Sequence, residues 1–188
     1  MTTPTRHPWF LRLKSTLLLV AGLFLPGCGY LSWKGNVNIP DPLPDMSVGL
    51  TLSCVPSRCG YVNGQGELVI PRAYEVAKPF YEGLASVYVE NVGWGVIDPK
   101  GNYVVEPAFA FIGPFSEGLA GACPSEKNLY RWVYIDRTGK AVINLDYNVN
   151  KAFPFHDGKA WVSCPFLFSQ MSKQIDRSGH VEHMILTR

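Results

Sequence analysis

Residues 94–105 read Trp94-Gly95-Val96-Ile97-Asp98-Pro99-Lys100-Gly101-Asn102-Tyr103-Val104-Val105. The segment Trp94–Ile97 is rich in residues that suit a pleated strand, and it runs into a turn. Asp98 can accept from the backbone two residues on, Pro99 presets φ, and Gly101 tolerates left-handed geometry before a return strand at Tyr103–Val105. The stretch is therefore a β-hairpin. Beyond it, Pro114-Phe115-Ser116-Glu117-Gly118-Leu119-Ala120 supplies a second turn, a ring to bury and the opening of a third strand.

The same string recurs on either side. Upstream stand Cys59-Gly60-Tyr61-Val62-Asn63-Gly64-Gln65-Gly66, Leu68-Val69-Ile70-Pro71 and Pro79-Phe80-Tyr81-Glu82-Gly83-Leu84-Ala85. Downstream stand Trp132-Val133-Tyr134-Ile135-Asp136-Arg137-Thr138-Gly139, Ala141-Val142-Ile143 and Pro154-Phe155-His156-Asp157-Gly158, then a fourth start at Ile175-Asp176-Arg177-Ser178-Gly179. The turn glycines 66, 101, 139 and 179 are 35, 38 and 40 residues apart, the signature of a repeat architecture. One such unit cannot bury its apolar face alone, so neighbours must stack. The prediction is an all-β fold of tandem antiparallel hairpins, three strands to a unit, in an open or twisted array, because so few units do not suffice for a closed ring. The units span 57–91, 92–128, 130–168 and a partial 173–188. The expected core is Phe80, Phe115, Phe155, Trp94, Trp132, Ile97, Ile135 and Val104.

The pattern resembles the WG-repeat (KWG) family. Gly93-Trp94-Gly95-Val96-Ile97-Asp98 with Gly101, the strand before Pro107, and Pro114 to Ala120 carry the resemblance. Repeat one has Cys59 where the tryptophan is expected, and repeat three has Val133 where the glycine is expected. The resemblance covers roughly Cys59 to Asp176. It implies strand-rich repeats that mediate interactions, with Trp94, Gly95, Asp98, Gly101, Phe80, Phe115, Gly118, Trp132, Asp136, Gly139, Phe155 and Gly158 as repeat residues. It implies no catalytic residue and no cofactor.

The first 27 residues differ in character from the rest. They carry Arg6, Arg12 and Lys14 and no acid, followed by an apolar run from Thr16 to Pro26. That run is well short of the roughly 20 residues a membrane-spanning helix needs, and it reads as a signal peptide over 1–27. Leu25-Pro26-Gly27-Cys28 resembles the lipobox of bacterial lipoproteins, which implies a lipid on Cys28 and an anchor in a bacterial membrane. In a diderm host the outer membrane facing the periplasm is expected; a soluble periplasmic or secreted protein is the alternative. Residues 28–46, with Pro40, Pro42 and Pro44, read as the lipidated cysteine and an extended tether, and 47–188 as the repeat domain.

Without the first segment, 14 of the 17 basic residues remain against 15 acidic ones. A body this close to neutral lacks the basic footprint of a nucleic-acid binder. Cys54, Cys59, Cys123 and Cys164 make an even count, for which disulfides are the natural reading in an exported protein. Of the three possible pairings, Cys54–Cys59 closes a short loop and Cys123–Cys164 would join neighbouring strands; a metal site is disfavoured because no C-x-x-C pair occurs. The fixed place of Asp98, Asp136 and Asp176 before a glycine makes them turn caps rather than catalytic acids or calcium ligands, and Glu82, Glu117 and Asp157 are turn acids on the same ground. His180-x-x-His183 reads as turn and strand, not as a helical metal pair.

With no catalytic constellation in view, the leading expectation is a binding or scaffolding module for a protein or glycan, with Tyr81, Tyr88 and Tyr130 as candidate contacts. An inhibitory or structural partner of another envelope protein is the alternative. A glycan-acting hydrolase would need two carboxylates converging in a cleft. Cells fed a clickable fatty acid should label the wild-type chain and not Cys28→Ala; equal label on both would remove the lipid anchor.

Overall fold

The computed structural model describes residues 42, 44–124, 131–166 and 169–187. Within them, four antiparallel sheets follow one another along the chain, and none closes into a barrel. The first holds β1 (Thr51–Val55), β2 (Arg58–Val62) and β3 (Leu68–Tyr74). The second holds β4 (Val76–Ala77), β5 (Ala85–Val89), β6 (Gly93–Ile97) and β7 (Tyr103–Phe109). The third holds β8 (Phe111–Ile112), β9 (Ala120–Cys123), β10 (Val133–Ile135) and β11 (Ala141–Asn144). The fourth holds β12 (Lys151–Ala152), β13 (Lys159–Phe166), β14 (Ser169–Asp176) and β15 (Val181–Thr187).

The all-β repeat architecture is as the sequence predicts, with a short fourth strand added to each unit after the first. Sequence repeat and sheet are out of phase. The hairpin β6–β7 of one repeat shares its sheet with β5, which belongs to the repeat before. Each of the three full repeats is thus divided between two sheets. The corners are abrupt: β3 becomes β4 across Glu75 alone, and β7 becomes β8 across Ala110 alone, so one strand serves two sheets. The third corner, residues 145–150, is longer and buries Leu145 and Val149.

Phe80, Phe115 and Phe155 are each 1% exposed, and Trp94, Trp132, Ile97 and Ile135 are buried beside them. Tyr61 and Tyr134 place their rings 4.8 Å from Phe80 and Phe155. Their hydroxyls donate to the carbonyls of Lys78 and Phe153, both at 2.7 Å. In the middle repeat Val96 replaces the tyrosine, and Ser86 Oγ donates instead to the equivalent carbonyl of Gly113 at 3.0 Å. Each unit therefore satisfies the carbonyl that precedes its Pro-Phe pair, as burial demands.

One expected core residue is not there. Val104 is 40% exposed and its neighbour Val105 is buried. The cause is a β-bulge: Ile97 faces Tyr103 and Val96 faces Val105, which leaves Val104 as the extra residue, turned outward. A tight crossing further along the same strand explains the glycine of the Trp-Gly pair. A β-carbon on Gly95 would lie 2.8 Å from the Val105 carbonyl oxygen and 2.9 Å from the Pro107 nitrogen. Repeat three has no proline at the matching place, and there Val133 pairs with Asn144 in ordinary register.

Gly139 closes its turn at φ +84°, and a β-carbon there would meet Val105 Cγ2 of the preceding sheet at 2.8 Å. Gly66 has almost the same φ, +83°, with nothing within 4 Å. Gly66→Ala should cost only the left-handed penalty of about 1–2 kcal/mol. Gly139→Ala should cost a further 1 kcal/mol or so from overpacking. Urea midpoints compare the two variants, and equal losses would mean that the turn does not bear on its neighbour.

Candidate functional site

Two rows of residues run across the sheets, one holding the array together and one facing solvent. The first begins with the Pro-Phe turns. Tyr81 and Leu84 exchange backbone hydrogen bonds around Glu82 and Gly83, which have φ of 51° and 76°. Glu117–Gly118 and Asp157–Gly158 repeat this geometry at 53°/76° and 51°/74°. Positive φ at both central residues defines a two-residue hairpin turn of the kind that prefers Asn-Gly or Asp-Gly, so a glutamate there is strained.

The acid's side chain explains its presence. The Glu82 carboxylate accepts from the backbone N–H groups of Glu117 and Gly118 in the next turn. The Glu117 carboxylate accepts from Gly158 N–H at 3.0 Å in the turn after that. Arg137, from the hairpin turn of the third sheet, donates to the Glu82 carbonyl at 2.8 Å, and Arg177, one sheet further, donates to the Glu117 carbonyl at 3.1 Å. Asp45 stands beside the first of these turns: its N–H donates to the Phe80 carbonyl at 2.7 Å, and its carboxylate accepts from the N–H and the hydroxyl of Ser47. The Ser47 hydroxyl, first, then the Ser47 amide and the nearby Gly83 amide hold the Asp45 carboxyl below its ordinary value. Asp157 ends the series with its side chain 90% exposed, in contact with His156 at 3.3 Å.

The hairpin turns are capped locally. Asn63, Asp98, Asp136 and Asp176 each accept, through Oδ1, from the N–H groups two and four residues on. Side-chain hydroxyls of Thr138 and Ser178 contribute most to lowering the Asp136 and Asp176 carboxyls.

The second row is made by the bulges. Val69, Val104 and Val142 occupy the bulge position of successive return strands and are 47%, 40% and 47% exposed. Leu68 and Tyr103, one residue earlier in their strands, are 48% and 40% exposed. In the fourth sheet the bulge residue is Glu182, whose carboxylate pairs with Lys159 at 2.7 Å. The outward row is thus apolar over three sheets and charged at the fourth.

Cys28 and Tyr130 lie outside the described residues. Tyr81 and Tyr88 are half-buried against the main core, and the Tyr88 ring lies 5.7 Å from Trp94. Cys54 and Cys59 form a disulfide between directly opposed residues of β1 and β2. They hold the cross-strand position that Tyr88 and Trp94 hold in the second sheet, so the bridge stands in for an aromatic pair.

The expected Cys123–Cys164 bridge is not formed; both side chains are buried as thiols. Ala120 faces Ile135 and Ala160 faces Ile175, which makes the two alanines equivalent. Cys123 is three residues on from its alanine and Cys164 four from its own, so the side chains leave opposite faces of equivalent strands. Burial pushes the Cys164 thiol up. His180 and His183 fall in the last turn and in β15, and among the described residues no group of three or more His, Cys, Asp or Glu is placed to hold a metal ion.

The family model described as WG containing repeat matches residues 60–92, 94–123 and 132–164. The chain belongs to the WG-repeat family. These matches lie across the hairpins, bulges and acid turns just described. No curated protein matches the chain in sequence. Among solved structures, a crystal structure of a protein of unknown function from Bacteroides caccae aligns with a TM-score of 0.40 at 15% identity. The alignment covers 73% of this chain and 57% of that one, so this chain spans little more than half of its length.

Asp45, Arg137, Arg177 and the outward valines were not among the expected site residues. The valine at the middle of each return-strand triplet, Leu68-Val69-Ile70, Tyr103-Val104-Val105 and Ala141-Val142-Ile143, was the available signal for the last of these. Truncating Glu117 to Ala should lower stability by about 1–2 kcal/mol, since it removes charged acceptors from the Gly158 N–H and Arg177 while keeping a β-carbon in the same strained turn. Asp157→Ala should change it by less than about 0.5 kcal/mol. Urea unfolding that gave equal losses for both would refute the directional ladder.

Proposed function

We propose that this protein is an exported, lipid-anchored binding module of the bacterial cell envelope, with the bulge row as its contact surface for a protein partner. The observation carrying this reading is the recurrence of an exposed apolar side chain at one structural position in three successive sheets. Leu68, Val69, Tyr103, Val104 and Val142 give the row an apolar character that favours a protein surface over a glycan. The repeat spacing makes the row wide and regular, as suits an extended partner. The leader and Leu25-Pro26-Gly27-Cys28 support the address, and the near-neutral body argues against a phosphate-backbone ligand.

The fourth sheet supplies a benign substitution, since Glu182 already occupies its bulge position. A triple variant, Val69→Glu, Val104→Glu and Val142→Glu, should keep the far-UV spectrum and thermal midpoint of the wild type. Affinity capture from cross-linked envelopes should lose the partner enriched by wild type. An identical captured set from both would eliminate the bulge row as the contact surface.

A further inference from the structure

Sheet packing sets the spacing of the bulge row, and the spacing selects the shape of what can lie along it. The residue that follows each bulge valine meets the turn glycine of the next hairpin. A β-carbon on Gly101 would lie 3.5 Å from Ile70, and one on Gly139 or Gly179 would lie 2.8 Å from Val105 or Ile143. At the other end of the units one glutamate side chain spans the gap between turns, Glu82 accepting from Gly118 N–H at 2.8 Å. Successive sheets are therefore in packing contact beside the row. Val69, Val104 and Val142 recur at the spacing of packed sheets, about 10 Å.

We propose that the row takes an amphipathic α-helix of the partner, apolar in a heptad pattern, with its N-terminus over the first sheet. This inference rests on the bulge row being the contact surface. Seven residues of α-helix advance about 10.5 Å and make nearly two full turns, so every seventh residue stays on one face. An extended strand returns to one face about every 6.8 Å and is out of step at the second sheet. A polyproline helix repeats at about 9.3 Å, but it docks on aromatic-lined grooves, and the residue common to the three sheets is valine. Each valine also has an exposed apolar neighbour, Leu68, Tyr103 or Ala141. A helix answers such pairs with two apolar residues per heptad, three or four apart. Crossing the three sheets takes at least about 15 helical residues.

Charge sets the direction. A five-residue hairpin turn immediately precedes each apolar pair. Residues 63–67 carry Glu67 as their one charged side chain, residues 98–102 set Asp98 against Lys100, and residues 136–140 set Asp136 against Arg137 and Lys140. The formal charge along the row thus runs −1, 0, +1. A helix carries partial positive charge at its N-terminus and partial negative charge at its C-terminus. Its N-terminus is favoured beside Glu67 and its C-terminus beside Lys140, both of which are exposed. The apolar stretch stops at the fourth sheet, where Glu182 is paired with Lys159.

Photocrosslinking in intact envelopes tests this, using the full chain with Val69, Val104 or Val142→p-benzoylphenylalanine, one position at a time. Each variant should keep the thermal midpoint of the wild type. The crosslinked partner residues should fall in one segment, about seven apart, ascending from position 69 to position 142. A synthetic peptide of that segment should gain helical ellipticity when titrated with the wild-type chain and not with the triple glutamate variant. Steps near three, scattered sites, a descending order or no gain in ellipticity would overturn the proposal and leave the row as the contact surface. No partner adduct from any of the three positions would overturn the row itself, and the helix with it.

Discussion

The carboxylate that reaches from one turn to the backbone N–H groups of the next sets the spacing of the whole array. The turn amides that face the preceding repeat are met by its carboxylate, since a two-residue turn has no acceptor of its own to offer them. Glu82 and Glu117 meet that need at the cost of sitting at φ near +50°, where Asn or Gly would be more comfortable. The strain is local, and the bond it permits is made between units some 35 residues apart in sequence. The Arg137 and Arg177 guanidiniums then hold the carbonyls of the same strained residues, so each link is fixed from the turn before and the hairpin after. Asp157, which reaches no further turn among the described residues, is nine-tenths exposed.

The bulge divides each apolar triplet between packing and surface. In Leu68-Val69-Ile70 and Tyr103-Val104-Val105 the third residue goes inward and meets the turn glycine of the following repeat: Ile70 meets Gly101, and Val105 meets Gly139. The middle residue goes outward. A regular strand would place residues one and three on the same face and could not do both. In the fourth hairpin the triplet is Val181-Glu182-His183, with both Glu182 and His183 exposed. Among the described residues no turn glycine meets this triplet, and it is polar at both positions.

Much of the fold was legible because its determinants are local. Turn chemistry at Asp98-Pro99-Lys100-Gly101, the recurrence of Pro-Phe, and the short strand-like runs fix hairpins and their repetition without reference to distant contacts. Val104 and the second cysteine pair were misread for a shared reason. Each depends on strand parity, and a single bulge or a one-residue difference in where a cysteine sits moves a side chain to the other face. The acid turns were legible as turns but not as links, since nothing in Pro-Phe-x-Glu-Gly says which amide the carboxylate will meet. Asp45 was hidden further, because the residues before it are proline-rich and read as tether.

The departures from the repeat pattern are compensated where they occur. Cys59 removes a tryptophan from the first sheet, and Cys54 across the ladder turns the loss into a covalent link worth about 2 kcal/mol for so short a loop. Val133 removes the glycine of the third repeat, and the crossing that required a glycine is absent there because no proline follows at the matching place. Val96 removes a tyrosine hydroxyl, and Ser86 supplies another. These exchanges concern the inward-facing positions, where an orphaned carbonyl or a void would be penalised at once. The bulge valines are under no such constraint, since neither packing nor turn geometry specifies what an outward side chain must be. An aliphatic residue retained there in three successive sheets is consequently better explained by what it contacts than by what it stabilises.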